Sequence, residues 1–480
     1  MLRSPATPGA AAMGWFERLS PLDATFLAIE DTDSPMHVGA VAVFDAAPLT
    51  LEHGGVDIEL LRAYIDAAIH RVPRYRQRLL FVPLLKHPVW VDDHRFNIHY
   101  HVRHTAVPRP GDPRQLKRLA ARVFSQKLDR DRPLWEIWVV EGLEGGRFAL
   151  IAKAHHCMMD GVAGVGLMAS LMRLNGDQSI PEAPPWKPRR PPNMAELIGA
   201  ELRHRAVGAT TLWDRVRDAA SGRGEWAERA REAAHALVET VGDGVVPASH
   251  TPLAGDLGPH RRFDVTTHPL VAVKAIKNAH GGKVNDVVLA TVTGALRRFF
   301  AHRGVDPDEV DDFRAFVPVS VRKQDQRGTL GNRVSMMLTR LPLAEPERLA
   351  RYAAVVAETE RLKGHPDAIK GTEFFAEATE WTGAGLLAGS ARLLSQLNPY
   401  NIVVTNVPGP PFPLYLCGAR LAEIYPLVPL YGHQCVGIAI FSYAGVLHWG
   451  LSADWQAVPD LHHLVDAIDA EFAALRDGVR

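Results

Sequence analysis

Strand-type and helix-type stretches alternate along this chain in two runs, and one proline-dense segment, "IPEAPPWKPRRPPN" (180–193), separates the runs. The alternation constrains the fold more than any other feature, because mixed elements bury their apolar faces only as sheets with helices packed on them. In the first run "HVGAVAVFD" (37–45), "PLWEIWVVEGL" (133–143) and "RFALIAKAHH" (147–156) predict strands, while "DIELLRAYIDAAIHRV" and "PRQLKRLAARVFSQKL" carry apolar residues at helical spacing. The proline-dense segment must be extended and serves as a linker or strap. Residues 194–242, rich in Ala and Arg, predict one or two helices. The second run predicts a helix in "KVNDVVLATVTGALRRFF" and strands in "DFRAFVPVSVR", "NRVSMMLTRLPL" and "NIVVTNVPGP". A hairpin across Ala444-Gly445 and a last helix over 458–476 complete it. The reading is therefore α/β in two halves, 14–180 and 251–480, joined by a proline-rich linker and helical connection over 181–250. Residues 1–13 lack the apolar core of a signal peptide and are expected to be a disordered extension, with Met13 as an alternative start.

The chain's 480 residues suit two or three domains or one large fold of two halves, and 47% hydrophobic against 22% charged residues supplies ample core. A formal net charge of +0 gives no reason to expect a nucleic-acid partner. The short basic clusters "PRYRQR" (73–78) and "KPRRPP" (187–192) fit a solvated rim as well as an anionic ligand. Cys157, Cys417 and Cys435 form no CxxC pair, which argues against a disulfide framework or structural zinc and suits a reducing cytoplasm. No apolar run reaches the roughly 18 residues needed to span a bilayer.

The chemistry concentrates in "KAHHCMMDGVAG" (153–164), where a predicted buried strand ends and a turn leads into "GVAGVGLMASLMRL". Gly161 permits that turn, and strand ends of α/β folds favour active-site groups. Two strand-end histidines satisfied by the backbone remain the alternative on residue types alone. Metal ligation is disfavoured because adjacent strand residues point to opposite faces and no H-E-x-x-H occurs. No G-x-S-x-G elbow supports a serine nucleophile. "GAGLLAG" (383–389) follows no strand and reads as a helix with small residues. A second pair, His462 and His463, lies on a helix whose apolar stripe is Leu461, Leu464, Val465 and Ile468, with no glycine after Asp466.

His155-His156-Cys157-Met158-Met159-Asp160-Gly161 resembles the H-H-x-x-x-D-G signature of the CoA-dependent acyltransferase superfamily, which is similar in fold to chloramphenicol acetyltransferase and includes the condensation domains of peptide synthetases. "LSPLDATFLAIEDTDSPMHVGAVAVFD" (19–45), "DRPLWE" (131–136), "VNDVVLATVTGALRRF" (284–299), "VPVSVR" (317–322), "GNRVSMM" (331–337) and "TNVPGPPFPLYLCGARL" (405–421) resemble successive blocks of one branch, the bacterial wax ester synthase/diacylglycerol acyltransferases. "PLAGDLGPHRRF" (252–263) departs from the Leu-Asn-Gly that relatives often carry there.

The resemblance implies two chloramphenicol acetyltransferase-like α/β halves with mixed sheets. It implies transfer of a long-chain fatty acyl group from acyl-CoA to diacylglycerol, in triacylglycerol synthesis, or to a long-chain alcohol, in wax ester synthesis. The general base would be His156, with His155 shaping the pocket and Gly161 making the turn. Asp160 would brace the loop through an arginine, for which Arg322 is the candidate, with Asp286 a further structural partner. Asn285 is either an oxyanion donor or the N-cap of "DVVLATVTGAL". Pro133, Leu134 and Trp135 are packing residues or part of an acyl-tunnel wall. No cofactor or metal is expected, acyl-CoA being a substrate. An insoluble acceptor implies a cytoplasmic protein peripheral to a membrane or lipid droplet, for which "WTGAGLLAGSARLLSQL" (381–397) is a contact or a buried core helix. Two alternatives keep the fold: acylation of another lipid or polyketide alcohol, or a catalytically weak lipid-binding member.

Overall fold

The computed structural model describes residues 16–52, 54–158, 168, 170–220, 247–320, 334–363, 389 and 398–479. In the first half the chain runs β1 (Glu17–Arg18), α1 (Pro21–Ile29), β2 (His37–Asp45), α2 (Ile58–Ala68), β3 (Gln77–Phe81), β4 (Pro88–Asp92), α3 (Ile98–His101), β5 (Val102–Ala106), α4 (Pro113–Ser125), β6 (Trp135–Leu143) and β7 (Arg147–His155). After the strap come α5 (Met194–Ala220), β8 (Arg261–Pro269), α6 (Leu270–His280), α7 (Val284–His302), β9 (Phe313–Ser320), β10 (Val334–Leu341) and α8 (Arg348–Lys363). The chain ends with β11 (Ile402–Pro408), β12 (Tyr415–Leu416), β13 (Ala419–Leu427), β14 (Val436–Tyr443), β15 (Val446–Asp454) and α9 (Leu461–Asp477). The strands and helices expected from periodicity are present wherever the residues are described. The expected extension over 1–13, the later part of the 194–242 helical stretch and nearly all of 381–397 lie outside them.

Local chemistry accounts for the best-defined starts. Asp112 accepts from the Gln115 backbone N–H at 2.9 Å while the Gln115 side chain accepts from the Asp112 N–H at 3.0 Å. This reciprocal cap, with Pro113 in the first turn, starts α4 and turns Leu116, Leu119, Ala120, Val123 and Phe124 inward. At α7 the Asp286 carboxylate closes the first turn on the Lys283 N–H at 2.8 Å.

Two six-stranded mixed sheets and one small sheet organise the molecule. One large sheet has the order β12-β13-β2-β7-β6-β5 and the other β10-β9-β11-β14-β15-β8; β1, β4 and β3 form the small antiparallel sheet. Chain order does not map cleanly onto the sheets. β13 leaves the second half and pairs antiparallel with β2, Leu421 opposite Phe44 and Leu427 opposite Gly39. It covers an edge of β2 that would otherwise expose unpaired backbone groups. Gly450 in β15 makes the crossing feasible, since a Cβ there would overlap the Pro426 carbonyl oxygen of β13. The halves also meet where α4 lies on β8: Lys117 pairs with Asp264 at 2.5 Å, and the Ser125 hydroxyl accepts from the Arg261 N–H at 3.0 Å. α7 and α9 bury Val288, Leu289, Val292, Leu464 and Ile468 against the second sheet.

The proline-rich strap has no regular secondary structure. Arg189 binds the Asp92 carboxylate through Nε at 2.9 Å and Nη2 at 2.8 Å, tying the strap to β4. Arg76 stacks over the Trp186 ring at 5.2 Å.

Candidate active site

The paired histidines stand where β7 ends. His155 is the last residue of that strand and His156 the first of the turn that follows. His155 lies opposite His37 in the β2–β7 register and is 1% exposed. Its Nδ1 accepts from the Cys157 backbone N–H at 3.1 Å, so the proton resides on Nε2, which faces Glu30 Oε1 at 3.5 Å. His156 is half-buried; its N–H donates to the Met36 carbonyl at 2.8 Å, and its ring stacks on Phe26 with centroids 4.0 Å apart.

One short helix organises both rings. Phe26 and Glu30 are four residues apart, on α1 and at its C-cap, and so share a face. Phe26 stacks on His156 while Glu30 reaches His155. Glu30 is a buried hub: Oε2 accepts from Arg130 Nη2 at 2.7 Å, Oε1 accepts from the Met36 N–H at 3.2 Å, and Lys127 Nζ lies 3.8 Å away. Burial alone would raise its pKa, but the hydrogen bonds from His155 and from the Arg130 guanidinium outweigh that and hold the carboxyl well below the usual carboxylate range. Burial lowers the His155 pKa despite Glu30, so the ring stays neutral near pH 7. His37 is likewise held far below its ordinary value by burial and by Lys153. No motif marks Glu30 or Phe26; their only sequence signal is the F-x-x-x-E spacing inside the 19–45 block.

The remaining candidates are distributed. Asp160, Gly161 and Arg322 lie outside the described residues. Asn285 is half-buried at the second position of α7; the helix begins at Val284 after Lys283, so Asn285 is not its N-cap, which corrects that alternative. Asp286 is 1% exposed and accepts from Lys283 N–H and from the Thr359 hydroxyl at 2.9 Å, joining α7 to α8. Pro133, Leu134 and Trp135 are buried. Leu134 accepts the His155 N–H at 2.9 Å, and the Trp135 indole donates to the Tyr75 carbonyl at 2.8 Å. Trp135 also stacks on His101 at 4.5 Å, and burial lowers the pKa of His101 to about 4. The control pair, His462 and His463, sits in the first turn of α9, away from any strand end.

The thiols are poor nucleophiles. Burial raises Cys157 well above its ordinary pKa, Cys417 to about 11 and Cys435 to about 12. Among the described residues no group of three His, Cys, Asp or Glu is placed to hold a metal ion, and no helix is long and apolar enough to cross a membrane.

Comparison with known proteins places this geometry. The wax ester synthase/diacylglycerol acyltransferase catalytic domain matches residues 19–288, and the corresponding C-terminal domain matches residues 330–476. A putative diacylglycerol O-acyltransferase of Mycobacterium tuberculosis is 33% identical over 97% of this chain and 90% of its own length. A probable diacylglycerol O-acyltransferase of the same species is 32% identical over 95% of both. The solved wax ester synthase/diacylglycerol acyltransferase of Marinobacter aquaeolei superimposes with a TM-score of 0.68 at 25% identity, covering 96% of this chain and 99% of that one. The first condensation domain of the calcium-dependent antibiotic synthetase shares the fold, with a TM-score of 0.62 at 16% identity over 97% of each chain. The chain thus belongs to the wax ester synthase/diacylglycerol acyltransferase family and is an acyltransferase of lipid synthesis.

Proposed function

We propose that this enzyme moves a long-chain fatty acyl group from acyl-CoA to the hydroxyl of diacylglycerol, of a long-chain alcohol, or of both, with His156 as general base. The asymmetry of the two histidines carries the reading. His155 is 1% exposed and held between Cys157 and Glu30, whereas His156 is half-buried, the more accessible of the two, with its ring held flat on Phe26. An unactivated hydroxyl is a weak nucleophile at neutral pH and needs such a base. His156 takes the hydroxyl proton as oxygen attacks the thioester carbonyl. The tetrahedral intermediate then collapses, breaking the carbon–sulfur bond, and His156 returns the proton to the departing CoA sulfur.

Asn285, at the positive end of α7, is the candidate donor to the oxyanion, a role typically worth about 3–4 kcal/mol. Asp160, Gly161 and Arg322 form the loop brace in this reading, and Pro133, Leu134 and Trp135 back the acyl tunnel. The raised thiol pKa values disfavour an acyl-cysteine and favour sequential kinetics. The protein works from the cytoplasm as a peripheral partner of a membrane or lipid droplet, where its acceptor resides.

The test is thiol release from palmitoyl-CoA with hexadecanol or with dioleoylglycerol as acceptor. His156→Ala should abolish turnover in a protein that still folds, and Asp160→Ala should lower stability as well as rate. A near-normal rate for folded His156→Ala refutes the base assignment. Release with neither acceptor refutes the substrate assignment, in favour of another alcohol or of lipid binding without turnover.

A further inference from the structure

The small sheet ends in a hairpin, "FVPLLKH" (81–87), whose tip is apolar and out in solvent. Leu84 is 90% exposed and Phe81 44% exposed. The tip is a built turn: Lys86 N–H donates to the Val82 carbonyl at 2.8 Å, and Val82 N–H donates to His87 at 2.9 Å. Leu84 and Lys86 take φ values of 64° and 53°, in the left-handed region that side chains seldom adopt. The turn therefore holds a leucine outward at a conformational cost and gains no burial within the chain.

The tip adjoins the start of α5. Val82, Val89, Val91 and Leu197 form one buried cluster, with Leu80, Leu85 and Ile198 packed on it. The same helix presents Met194 at 64% and Leu202 at 55% exposure. Arg203, His204 and Arg205 follow and are exposed, as is Lys86. The buried Glu201 is already paired with Arg18 and Arg205, so it leaves the fringe basic. The sheet also leads directly through Ser20 into α1, whose Phe26 lies on His156.

We infer that the β3–β4 hairpin tip and the outer face of α5 are the surface by which this enzyme seats on a phospholipid surface bearing anionic headgroups. Phe81, Leu84, Met194 and Leu202 enter the acyl boundary while Lys86 and Arg203 meet phosphates, the arrangement of an interfacial anchor. The inference rests on the reading that the acceptor is a lipid, and it moves the contact away from residues 381–397.

The experiment is co-sedimentation of the full chain with vesicles of dioleoylphosphatidylglycerol or of dioleoylphosphatidylcholine. It is run beside thiol release with a water-soluble acceptor, octanol, and beside sedimentation equilibrium. Phe81→Asp/Leu84→Asp should weaken binding to both vesicles at least about tenfold while leaving octanol-dependent turnover intact. Lys86→Gln/Arg203→Gln should weaken binding to the anionic vesicles and spare the neutral ones. Unchanged binding by the double aspartate variant overturns the inference, as does a wild type that binds neither vesicle. A variant that turns a dimer into a monomer without altering vesicle binding also overturns it, marking the patch as a contact with a second copy. Absence of octanol turnover in the wild type counts against the acyl-transfer reading, while vesicle binding still decides the surface.

Discussion

Replacing Glu30 by Gln tests how the paired histidines are held. The carboxylate works on both sides: Oε1 serves Met36 N–H at 3.2 Å and His155 Nε2 at 3.5 Å, while Oε2 serves Arg130 at 2.7 and 3.2 Å. A glutamine has the same shape but one acceptor oxygen. Whichever way its amide turns, an NH2 faces either the Arg130 guanidinium or the Met36 and His155 donors. Charge-assisted hydrogen bonds contribute about 1.5–3 kcal/mol each, and removing one member of a fully buried pair costs about 3–5 kcal/mol. Arg130 is 35% exposed at its side chain, so water recovers part of that loss. A net cost of about 3 kcal/mol follows for Glu30→Gln, which for a chain of this size lowers the melting temperature by about 3 °C.

The assay is chemical and thermal denaturation of a double-mutant cycle: wild type, Glu30→Gln, Arg130→Met and the double variant. The double variant should be less destabilised than the sum of the singles, with a coupling of about 1–3 kcal/mol. His155 should lose its fixed tautomer as well, visible as a shift of its imidazole nitrogen resonances. Additive singles with unchanged His155 resonances would refute the hub.

Two further outcomes follow from the geometry. Gly450→Ala should cost at least about 2 kcal/mol by urea denaturation, because its Cβ overlaps the Pro426 carbonyl where β13 crosses to the first sheet; Gly478→Ala, at φ −70° past α9, should be neutral or slightly stabilising. Stability should fall on acidification, since His101 titrates at about 4 in the fold against 6.5 when unfolded. Below pH 6.5 the unfolded chain takes up the proton and the folded chain does not, a loss of about 1.4 kcal/mol by pH 5.5. The buried, neutral His37 and His155 act in the same direction, and a profile flat from pH 7.5 to 5.5 would contradict the burial argument.

The amino-acid sequence by itself determined the elements and the strand-end position of the motif, because apolar period, capping residues and turn glycines act over a few neighbours. The apolar run of "RFALIAKAHH" predicts a strand that runs out at its histidines, and the apolar stripe around His462 and His463 predicts a helix. The same local logic offered Asn285 as the N-cap of α7, two positions beyond the N-cap at Lys283, where the Asp286 carboxylate closes the first turn.

Tertiary structure alone decided which distant segments meet. The alternating "ARLAEIYPL" (419–427) is equally suited to either sheet, and only the open edge of β2 selects the first. Glu30 and His155 are far apart in sequence, and only the packing of α1 across the end of β7 makes the carboxylate the partner of one histidine and Phe26 the platform of the other. The physical reason is range. Propensity and periodicity are set by neighbours along the chain, whereas burial, and the charge pairing it enforces, is set by whatever the fold brings alongside.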